Sequence, residues 1–395
     1  MRILLVNKFW YQHGGSERVA FLTKKILEKA GHEVKIFGMK NPKNEFSNEY
    51  FSDYVDYKTM RGWKRVVAGL KAIYNFEAKH KFEKLVKDFR PDVIHFHNIY
   101  HQLSFSLLDV GKKYKVPMVM TLHDYKMISP NYMMFHHGKI DESCVMGHYY
   151  RCLFNNCMEN IGFSYIATKE ALFRKFRKYQ SFINLYISPS RFLKDKFVSA
   201  GWNEKKLVVI PNPLESSGDL STKDGDYVVF VGRLAKEKGI DVLLRAAEKT
   251  PEIKYKIVGD GPEYSSLSSK RPQNVEFIGF LENQKAKKMI ADSRLVVAPS
   301  IWYENCPLSI LEAKALGKIV IASRIGGIPE LLPEELLFTP GKADDLAEKI
   351  KHYYNLTEDK RLAFGEKLRS EVKIVNSEEK YYQSLLNVYE QTLAD

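Results

Sequence analysis

The chain has 395 residues, of which 45% are hydrophobic and 28% are charged, and its formal net charge is +13. This composition is that of a folded globular protein, and the length favours two domains over a single core. No apolar run approaches the ~20 residues that span a bilayer, and MRILLVNKFWYQ is too short and too soon polar for a signal peptide, so we expect a cytoplasmic protein.

The first half of the chain alternates short apolar strands with amphipathic helices. The strand RILLVN, the turn HGGSE and the helix RVAFLTKKILEKAGH open it. Further strands are predicted at EVKIFGM, DVIHFHN, VPMVMTLHD and INLYISPS, with helices between them. Strands that alternate with helices form a mostly parallel sheet, and we therefore expect a Rossmann-like domain over residues 1–200.

The second half repeats this alternation and begins with its own strand, YVVFVG. Strands follow at YKIVGDG, NVEFIGF, RLVVAPS, KIVIASRIGG and ELLFTPG, separated by helices of roughly ten residues. This pattern predicts a second doubly wound α/β domain over residues 201–377. The segment GWNEKKLVVIPNPLESSGDLSTKDGD is the predicted hinge between the two domains.

The charge is divided unequally between the two halves. Residues 1–200 carry 33 Lys and Arg against 18 Asp and Glu, whereas residues 201–395 carry 28 against 30. Two basic segments of the first half, YKTMRGWKRVVAGLKAIYNF and LFRKFRKYQSF, have apolar or aromatic borders, which on a helix is typical of an element that docks on an anionic membrane. The alternative is a helix packed on its own domain with a solvated basic face. The predicted membrane and acceptor surface comprises Arg61, Trp63, Lys64, Arg65, Lys71, Arg174, Lys175, Arg177 and Lys178.

Three of the four cysteines lie close together in the sequence SCVMGHYYRCLFNNC. Four soft ligands within this loop would suit a structural zinc ion, namely Cys144, His148, Cys152 and Cys157. Because the spacing lacks a CxxC knuckle, a set of free, partly buried thiols is the favoured interpretation, and the zinc site is the alternative.

Candidate ligand-binding residues follow the ends of predicted strands, where parallel sheets bind ligands. In PSIWYENCPLSILEAKALG, Glu304 lies in the loop after a strand, and Glu312 lies in the following helix, whose start suits a phosphate. Glu312 can accept hydrogen bonds from a ribose, and a solvated helix glutamate is the alternative. In FVGRLAKEKGID, Arg233 and Lys238 could neutralise a diphosphate without a metal, and a solvated basic loop is the alternative.

Five motifs of the second half, in this order, resemble the donor-binding domain of retaining GT-B glycosyltransferases of family 4 (glycosyl transferases group 1): FVGRLAKEKGID, IVGDGPE, VEFIGF, APSIWYENCPLSILEAKALGKIVIAS and GGIPELL. The first half is similar to the family through GGSERV, DVIHFHN and TLHDY. The resemblance implies the GT-B fold, in which two Rossmann-like doubly wound domains face a central cleft. It also implies that the last helix, about residues 378–395, packs back on the first domain.

The resemblance further implies roles for single residues. Glu304 would contact the donor sugar and Glu312 the nucleotide ribose, while Arg233 and Lys238 would hold the diphosphate. His123 would contact the transferred sugar, although a core histidine is the alternative. Where many members have Gly-Phe-Gly after the first glutamate, this chain has Asn-Cys-Pro, and the proline cannot donate an amide hydrogen bond. The remaining donor contacts implied by the resemblance are Gly14, Gly15, Asn305, Cys306 and Leu308.

The implied reaction is sugar transfer from a nucleotide donor to an acceptor hydroxyl with retention at the anomeric carbon. A UDP-sugar is the favoured donor and GDP-mannose the second, and the expected acceptor is a lipid-linked or growing glycan in cell-surface polysaccharide biosynthesis, reached at the inner face of the cytoplasmic membrane. We expect no required cofactor or metal, because the tripeptide DGD at 224–226 is ordinary turn chemistry. A non-catalytic sugar-nucleotide-binding protein is the alternative. A basic nucleic-acid-binding protein is less favoured, because the sequence has no recognised nucleic-acid motif.

Overall fold

The computed structural model of the chain describes residues 1–11, 14–55, 62–215 and 224–394, without the side chains of Lys64 and Arg65. The described residues form two compact units, each built on a six-stranded parallel sheet. The predicted α/β class with two Rossmann-like domains is therefore confirmed. The first unit comprises Met1–His137, Asp141–Pro213 and the C-terminal residues from Tyr381, and the second comprises Gly138–Ile140 and Leu214–Lys380.

The first unit alternates strands and helices from its first residues. The elements up to residue 209, all of which except β6 belong to this unit, are in chain order β1 (Arg2–Val6), α1 (Gly15–Lys29), β2 (Glu33–Phe37), α2 (Gly62–Ile73), α3 (Phe76–Phe89), β3 (Val93–Phe96), α4 (Ser106–Tyr114), β4 (Met118–Thr121), β5 (Phe135–His136), β6 (Lys139–Ile140), α5 (Arg151–Phe154), α6 (Ile161–Phe176), β7 (Leu185–Ser188), α7 (Arg191–Ser199) and β8 (Leu207–Val209). The large sheet has the order β2-β1-β3-β4-β7-β8. The strand order reverses between β1 and β3, which makes this the switch point of the sheet.

The composition of the strands and the residues before the helices explain these elements. β3 and β4, with the sequences VIHF and MVMT, are buried at every residue, as is typical of parallel strands covered on both faces. Side chains of Asn75, Asn160 and Ser190 accept hydrogen bonds from the first turns of α3, α6 and α7. Each therefore satisfies a backbone amide that has no partner within its helix.

The C-terminal helix α14 (Glu378–Ala394) contacts the first unit through tyrosine hydroxyls. Tyr381 Oη lies 2.8 Å from Thr23 Oγ1, and Tyr382 Oη lies 3.0 Å from His32 Nε2. Tyr389 Oη lies 2.7 Å from Nδ1 of the buried His95. Apolar side chains of α14 also enter the core of the first sheet, so the helix is part of this unit.

The boundary between the units lies later in the chain than the predicted residue 200. The two units divide between Pro213 and Leu214. The segment LVV, which we assigned to the hinge, is the strand β8, and it pairs in parallel with β7 at the edge of the first sheet. A three-residue strand surrounded by lysines and prolines has too little periodicity to be distinguished from a linker.

The six-stranded sheet of the second unit begins after residues 216–223, which lie outside the described residues. Its elements are β9 (Tyr227–Val231), α8 (Ile240–Glu248), β10 (Lys254–Val258), α9 (Tyr264–Ser268), β11 (Val275–Gly279), α10 (Asn283–Ala291), β12 (Leu295–Ala298), α11 (Leu308–Ala315), β13 (Ile319–Ser323), β14 (Leu337–Phe338), α12 (Ala343–Tyr354) and α13 (Glu358–Val375). The sheet order is β11-β10-β9-β12-β13-β14. The chain therefore leaves β9 in one direction and β12 in the other, and the switch point lies between them.

Candidate active site

The predicted donor residues of the second unit follow the two strands at its switch point. Arg233 and Lys238 lie in the loop between β9 and α8, and Glu304 lies in the loop between β12 and α11. Adjacent parallel strands bring the loops at their carboxyl ends together, so the strand order explains why residues 66 positions apart meet.

Two glycines let these loops pack backbone against backbone. Gly239 has φ +65°, and a Cβ there would lie 2.0 Å from the carbonyl oxygen of Pro299. Gly326 has φ +62°, and a Cβ there would lie 2.2 Å from the carbonyl oxygen of Glu304. Both positions combine a left-handed conformation with a steric clash, so only glycine fits them. The loop that carries Glu304 is thereby fixed from both sides.

Glu304 and Lys238 form the central ion pair of this site. Lys238 Nζ lies 2.5 Å from Glu304 Oε1, and Ser300 Oγ donates to the same oxygen at 2.8 Å. Burial raises the pKa of the Glu304 carboxyl, but the Lys238 charge and the hydrogen bonds from Lys238 and Ser300 outweigh it and hold this pKa below its usual range. Glu304 is therefore an ionised, oriented carboxylate beside a cation.

Arg233 contacts the buried Glu237 in the same loop. Its own side chain remains 56% exposed, so the guanidinium is accessible to a ligand while Glu237 orients it. The pairing of Arg233 with Glu237 was not predicted. Arg233 precedes the short turn Lys236–Lys238 that carries Glu237, so helical spacing in the sequence did not signal this contact.

Glu312 is buried, which contradicts the alternative of a solvated helix glutamate. It lies in the middle of α11, and it lines a small cavity. The neighbouring Asn305 and Cys306 are buried as well, and Leu308 is the first residue of α11. The first amides of a helix have no acceptor within it, so this helix start is suited to a phosphate or sugar oxygen. The other residues that line the cavity are Leu214, Glu215, Lys287, Ala315 and Leu316.

In the first unit, Gly14 and Gly15 lie at the start of α1. Gly14 is the N-cap residue with an extended backbone, and both glycines are exposed. Among the described residues, a Cβ at Gly14 would approach only the carboxylate of Glu17, at 3.2 Å, which is the flexible end of a side chain. Packing within the unit therefore does not explain why glycine stands at this position.

A row of three histidines lies at the carboxyl ends of β3 and β4, with His95 inside β3 and His97 and His123 after β3 and β4. The ring of His97 stacks on the ring of His95, and its Nδ1 lies 3.0 Å from Nε2 of His123. His97 Nε2 is buried without a hydrogen-bond partner in the described part of the chain, which leaves this atom to a water molecule or a ligand. Burial lowers the pKa of His123 to about 4, so the imidazole is neutral near pH 7. His95 is fully buried, whereas His123 is partly exposed, so His95 rather than His123 is the core histidine.

The sequence analysis missed the acidic residue next to His123. Burial raises the pKa of Asp124 to about 6, against the opposing effects of Lys8, Lys126 and a hydrogen bond from the Lys126 amide. The Lys126 ammonium is itself buried 2.6 Å from Glu170. A charged residue directly after a buried strand, in LHDY, was the signal that could have identified Asp124.

Part of the predicted basic surface is wrong. Arg174 is only 3% exposed, because it donates a hydrogen bond to the Met127 carbonyl and lies beside Glu170 between the rings of Phe105 and Tyr149. It is a core residue of the first unit. The rest of its segment, Lys175, Arg177 and Lys178, is exposed, and Arg177 contacts Asp109 at 2.6 Å. Arg61 and the side chains of Lys64 and Arg65 lie outside the described residues.

Exposed apolar side chains concentrate on α2, α5 and α6. The spacing of those on α2 places them on one side of the helix, and so does the spacing of those on α6 apart from Phe163. Helices α2 and α6 pack together, since a Cβ at Gly69 would lie 3.0 Å from Ile166 Cδ1. Among the described residues, no helix is long and apolar enough to cross a bilayer. We call this set the apolar face: Trp63, Val66 and Leu70 of α2, Phe154 of α5, and Ile161, Tyr165, Leu172 and Phe176 of α6.

Both interpretations of the cysteine loop, free thiols and a set of four metal ligands, are corrected. His148 is exposed, whereas Cys144, Cys152 and Cys157 are buried together, and Cys152 forms a disulfide with Cys157. The histidine lies in a turn before α5, and its ring contacts Tyr150. The spacing of the four residues in the sequence could not show that the side chain of His148 faces away from the three cysteines.

The acidic residues of the DGD tripeptide have cationic partners. Asp224 accepts a hydrogen bond from Arg361 at 3.1 Å, and Asp226 accepts one from Lys254 at 2.7 Å. These contacts join the start of β9 to α13 and β10, and they give each of the two carboxylates a cationic partner from the protein.

Comparisons with known proteins agree with this geometry. Residues 13–217 match the family model described as Glycosyltransferase Family 4, and residues 215–371 match that described as Glycosyl transferases group 1. The chain is 26% identical over 353 residues to an uncharacterized 42.6 kDa protein in the cps region of Klebsiella pneumoniae, covering 84% of this chain and 87% of that protein.

Two further similarities are informative. The chain is 28% identical over 204 residues to the phosphatidylinositol N-acetylglucosaminyltransferase gpi3 subunit of Schizosaccharomyces pombe, covering 46% of this chain and 44% of that protein. The crystal structure of Anabaena HepE in complex with UDP and glucose has the same fold, with a TM-score of 0.66 at 18% identity and coverage of 99% and 100%. From the two-sheet architecture, the charged switch point and these matches, the chain belongs to glycosyltransferase family 4.

Proposed function

We propose that the chain transfers a sugar from a nucleoside diphosphate donor to an acceptor hydroxyl, with retention of configuration at the anomeric carbon. The observation that carries this proposal is the Lys238–Glu304 pair at the switch point of the second sheet. A cation at this place can neutralise a diphosphate, and an oriented carboxylate can accept hydrogen bonds from sugar hydroxyls.

The second unit acts on the leaving group. Arg233 and Lys238 stabilise the charge that develops on the diphosphate as the bond between the anomeric carbon and the phosphate oxygen breaks. The acceptor oxygen bonds to the anomeric carbon on the same face, and its proton passes to the departing phosphate. Glu304 orients the sugar, and Glu312 holds the ribose. The protein thus contributes positioning and charge stabilisation rather than a separate general base.

The first unit supplies backbone and a neutral imidazole to the donor. Because packing within the unit does not require glycine at Gly14, we attribute Gly14 and Gly15 to a close approach of the donor phosphates, which side chains would obstruct. His123 contacts the transferred sugar as a hydrogen-bonding group, because its lowered pKa of about 4 keeps the ring uncharged.

The proposed donor is a UDP-sugar, with GDP-mannose second. The complex of HepE with UDP and glucose supports this order. A thermal-shift screen over nucleotides and sugar nucleotides tests it, because a ligand that binds the native state raises the melting temperature. A larger shift with GDP and GDP-mannose than with UDP and its sugars would reverse the order.

We also propose that transfer requires no divalent metal ion. Two cationic side chains and the start of α11 provide for the diphosphate what Mg²⁺ provides in other transferases. The expected result is activity that persists in EDTA. Activity that EDTA abolishes and Mg²⁺ or Mn²⁺ restores would contradict this proposal.

The proposed acceptor is a lipid-linked or growing glycan in cell-surface polysaccharide biosynthesis, reached by docking of the first unit on the inner face of the cytoplasmic membrane. The apolar face and the exposed Lys175 and Lys178 support this docking, since apolar side chains beside cations suit an anionic lipid surface. The relative from S. pombe is, by its name, a subunit of a phosphatidylinositol N-acetylglucosaminyltransferase.

Release of nucleoside diphosphate tests the reaction itself. The expected result is slow release from the donor alone and fast release when the acceptor is added, with a product of retained anomeric configuration by NMR. A chain that binds the donor tightly but releases no diphosphate with any acceptor would instead be a non-catalytic sugar-nucleotide-binding protein.

A further inference from the structure

The three buried cysteines before α6 are not used by the proposed transfer reaction. Cys144 lies in a turn, Cys152 lies in α5, and Cys157 lies in the turn between α5 and α6. All three are at most 2% exposed, and their sulfur atoms lie within 4.8 Å of one another. A disulfide accounts for Cys152 and Cys157, but it does not account for a third thiol at the same place.

We propose that the reduced forms of Cys144, Cys152 and Cys157 bind one thiophilic divalent cation, Zn²⁺, as three thiolates. Tetrahedral zinc–thiolate bonds of ~2.3 Å place neighbouring sulfur atoms ~3.8 Å apart. All three sulfur atoms lie within 4.8 Å of one another, so side-chain rotations can bring them to this separation once the disulfide is opened. This inference goes beyond the proposed function and does not depend on it.

Zn²⁺ binding first requires reduction of the disulfide, and a small thiol supplies the two electrons. Two molecules of a low-molecular-weight thiol reduce the Cys152–Cys157 bond and leave as their own disulfide, which gives three protein thiols with Cys144. Zn²⁺ then displaces three protons and binds three thiolates. The exposed His148 is not among the clustered groups of the described residues, and a water molecule takes the fourth position of the metal.

The surrounding segment explains why a cross-link is placed here. Between β4 and α6 the described chain has only the two-residue strands β5 and β6 and the four-residue helix α5. Several non-glycine residues of this segment have a left-handed backbone, which costs conformational energy. A segment with little regular structure gains its order from cross-links, as small metal-binding domains do. The residues with this backbone are Met134, His137, Met146, Asn156 and Glu159.

The cysteine cluster also packs on the helix that carries much of the apolar face. Cys144, Cys152 and Cys157 form one cluster with Ala167 of α6 and with Met158. A metal ion bound to the three thiolates would therefore fix the start of α6 to the loop before it. Its role is structural, because none of these residues belongs to the proposed donor site.

Cobalt binding to the full-length chain tests this inference. The protein is reduced with a phosphine, freed of metal and titrated with Co²⁺ without oxygen, and the thiolate-to-cobalt charge-transfer absorption is measured. The expected result is a band that saturates at one Co²⁺ per chain and is displaced by Zn²⁺. Cys144→Ser should weaken the band and the affinity at least ten-fold, whereas the matched buried variant Cys306→Ser should keep both. No band in the reduced wild type, or an equal band in Cys144→Ser, would overturn the proposal.

A second measurement needs no variant and so does not depend on the folding of Cys144→Ser. The reduced native chain is alkylated with and without Zn²⁺, and the modified cysteines are mapped by mass spectrometry. We expect Zn²⁺ to protect Cys144, Cys152 and Cys157 together and to leave the labelling of Cys306 unchanged. Unchanged labelling of the three cysteines, or equal protection of all four, would refute a site at this cluster.

Discussion

Two carboxylates that follow buried strands, one in each unit, have pKa values shifted in opposite directions. Both experience burial, which raises a carboxyl pKa. Glu304 contacts the ammonium of Lys238 directly, and its pKa falls below the usual range. Asp124 receives a backbone hydrogen bond from Lys126, but that lysine's ammonium lies beside Glu170, and the pKa of Asp124 rises to about 6. The comparison teaches that a cation hydrogen-bonded to a buried carboxylate can offset the effect of burial on its pKa, whereas the charges of Lys8 and Lys126 near Asp124 do not.

The two units also differ in the character of their switch points. In the second unit, charged side chains follow β9 and β12, as expected of a site for a diphosphate. In the first unit, exposed glycines follow β1, and a row of neutral histidines lies at the carboxyl ends of β3 and β4. We infer that donor charge is handled by the second unit, whereas the first unit provides space, hydrogen bonds and a basic, apolar surface.

Removal of the Lys238 ammonium from the donor site of the second unit should have the largest effect on turnover. Lys238→Ala takes away a positioned group that stabilises the leaving diphosphate, and we expect turnover at saturating substrates to fall ~10²–10³-fold. Lys236→Ala is the matched control, because Lys236 is exposed in the same loop. Turnover of Lys238→Ala equal to that of the wild type would break the assignment of donor charge to this unit.

The basic surface of the first unit should bind anionic vesicles in a salt-dependent way. Replacing Lys175 and Lys178 by Ser should weaken the binding ~30-fold, because each basic side chain near an anionic leaflet contributes ~1 kcal/mol. The same change at Lys360 and Lys367, exposed on α13 of the second unit, serves as the control. Equal binding to neutral vesicles, or binding that salt does not reduce, would favour a soluble acceptor.

Replacement of Glu312 should distinguish an effect on nucleotide binding from an effect on the rate of the chemical step. Glu312→Ala removes charged hydrogen bonds to the ribose, and we expect the Kd for the nucleoside diphosphate to rise ~10-fold with a smaller change in kcat. Calorimetry on this variant and on Glu348→Ala, an exposed glutamate of α12, measures the effect. An unchanged Kd in a folded Glu312→Ala chain would remove Glu312 from the site.

Asp124 should make the stability of the first unit depend on pH. Because its folded pKa of about 6 exceeds its unfolded value, its contribution is fully present below the unfolded pKa and is lost as pH rises through 6. Urea unfolding should therefore show the wild type losing ~1 kcal/mol relative to Asp124→Asn between pH 5 and pH 7. A constant difference across this range would mean that the carboxyl is not shifted.

The sequence predicted the regular elements and the donor motifs, because strongly apolar strands alternate with amphipathic helices and each motif follows a strand. It did not predict the burial of Arg174, since a basic run looks the same whether one of its members faces solvent or the core. Glu170, one helical turn before Arg174, was the available signal for a buried pair. The surroundings of Asp124 and the contact of Lys126 with Glu170 depend on tertiary packing between residues that are distant in the sequence, so local spacing does not predict them.

The most direct test of the central claim follows transfer by the wild type and by Glu304→Gln with the donor selected by thermal shift. Glu304→Gln keeps the shape of the side chain but removes the charge that pairs with Lys238. Time courses of nucleoside diphosphate release with acceptor present give the rates, and calorimetry of the variant gives the donor affinity. We predict that the wild type releases one diphosphate for each glycosidic bond formed and that Glu304→Gln still binds the donor but transfers at least ~10²-fold more slowly. Transfer by Glu304→Gln at the wild-type rate would contradict the account.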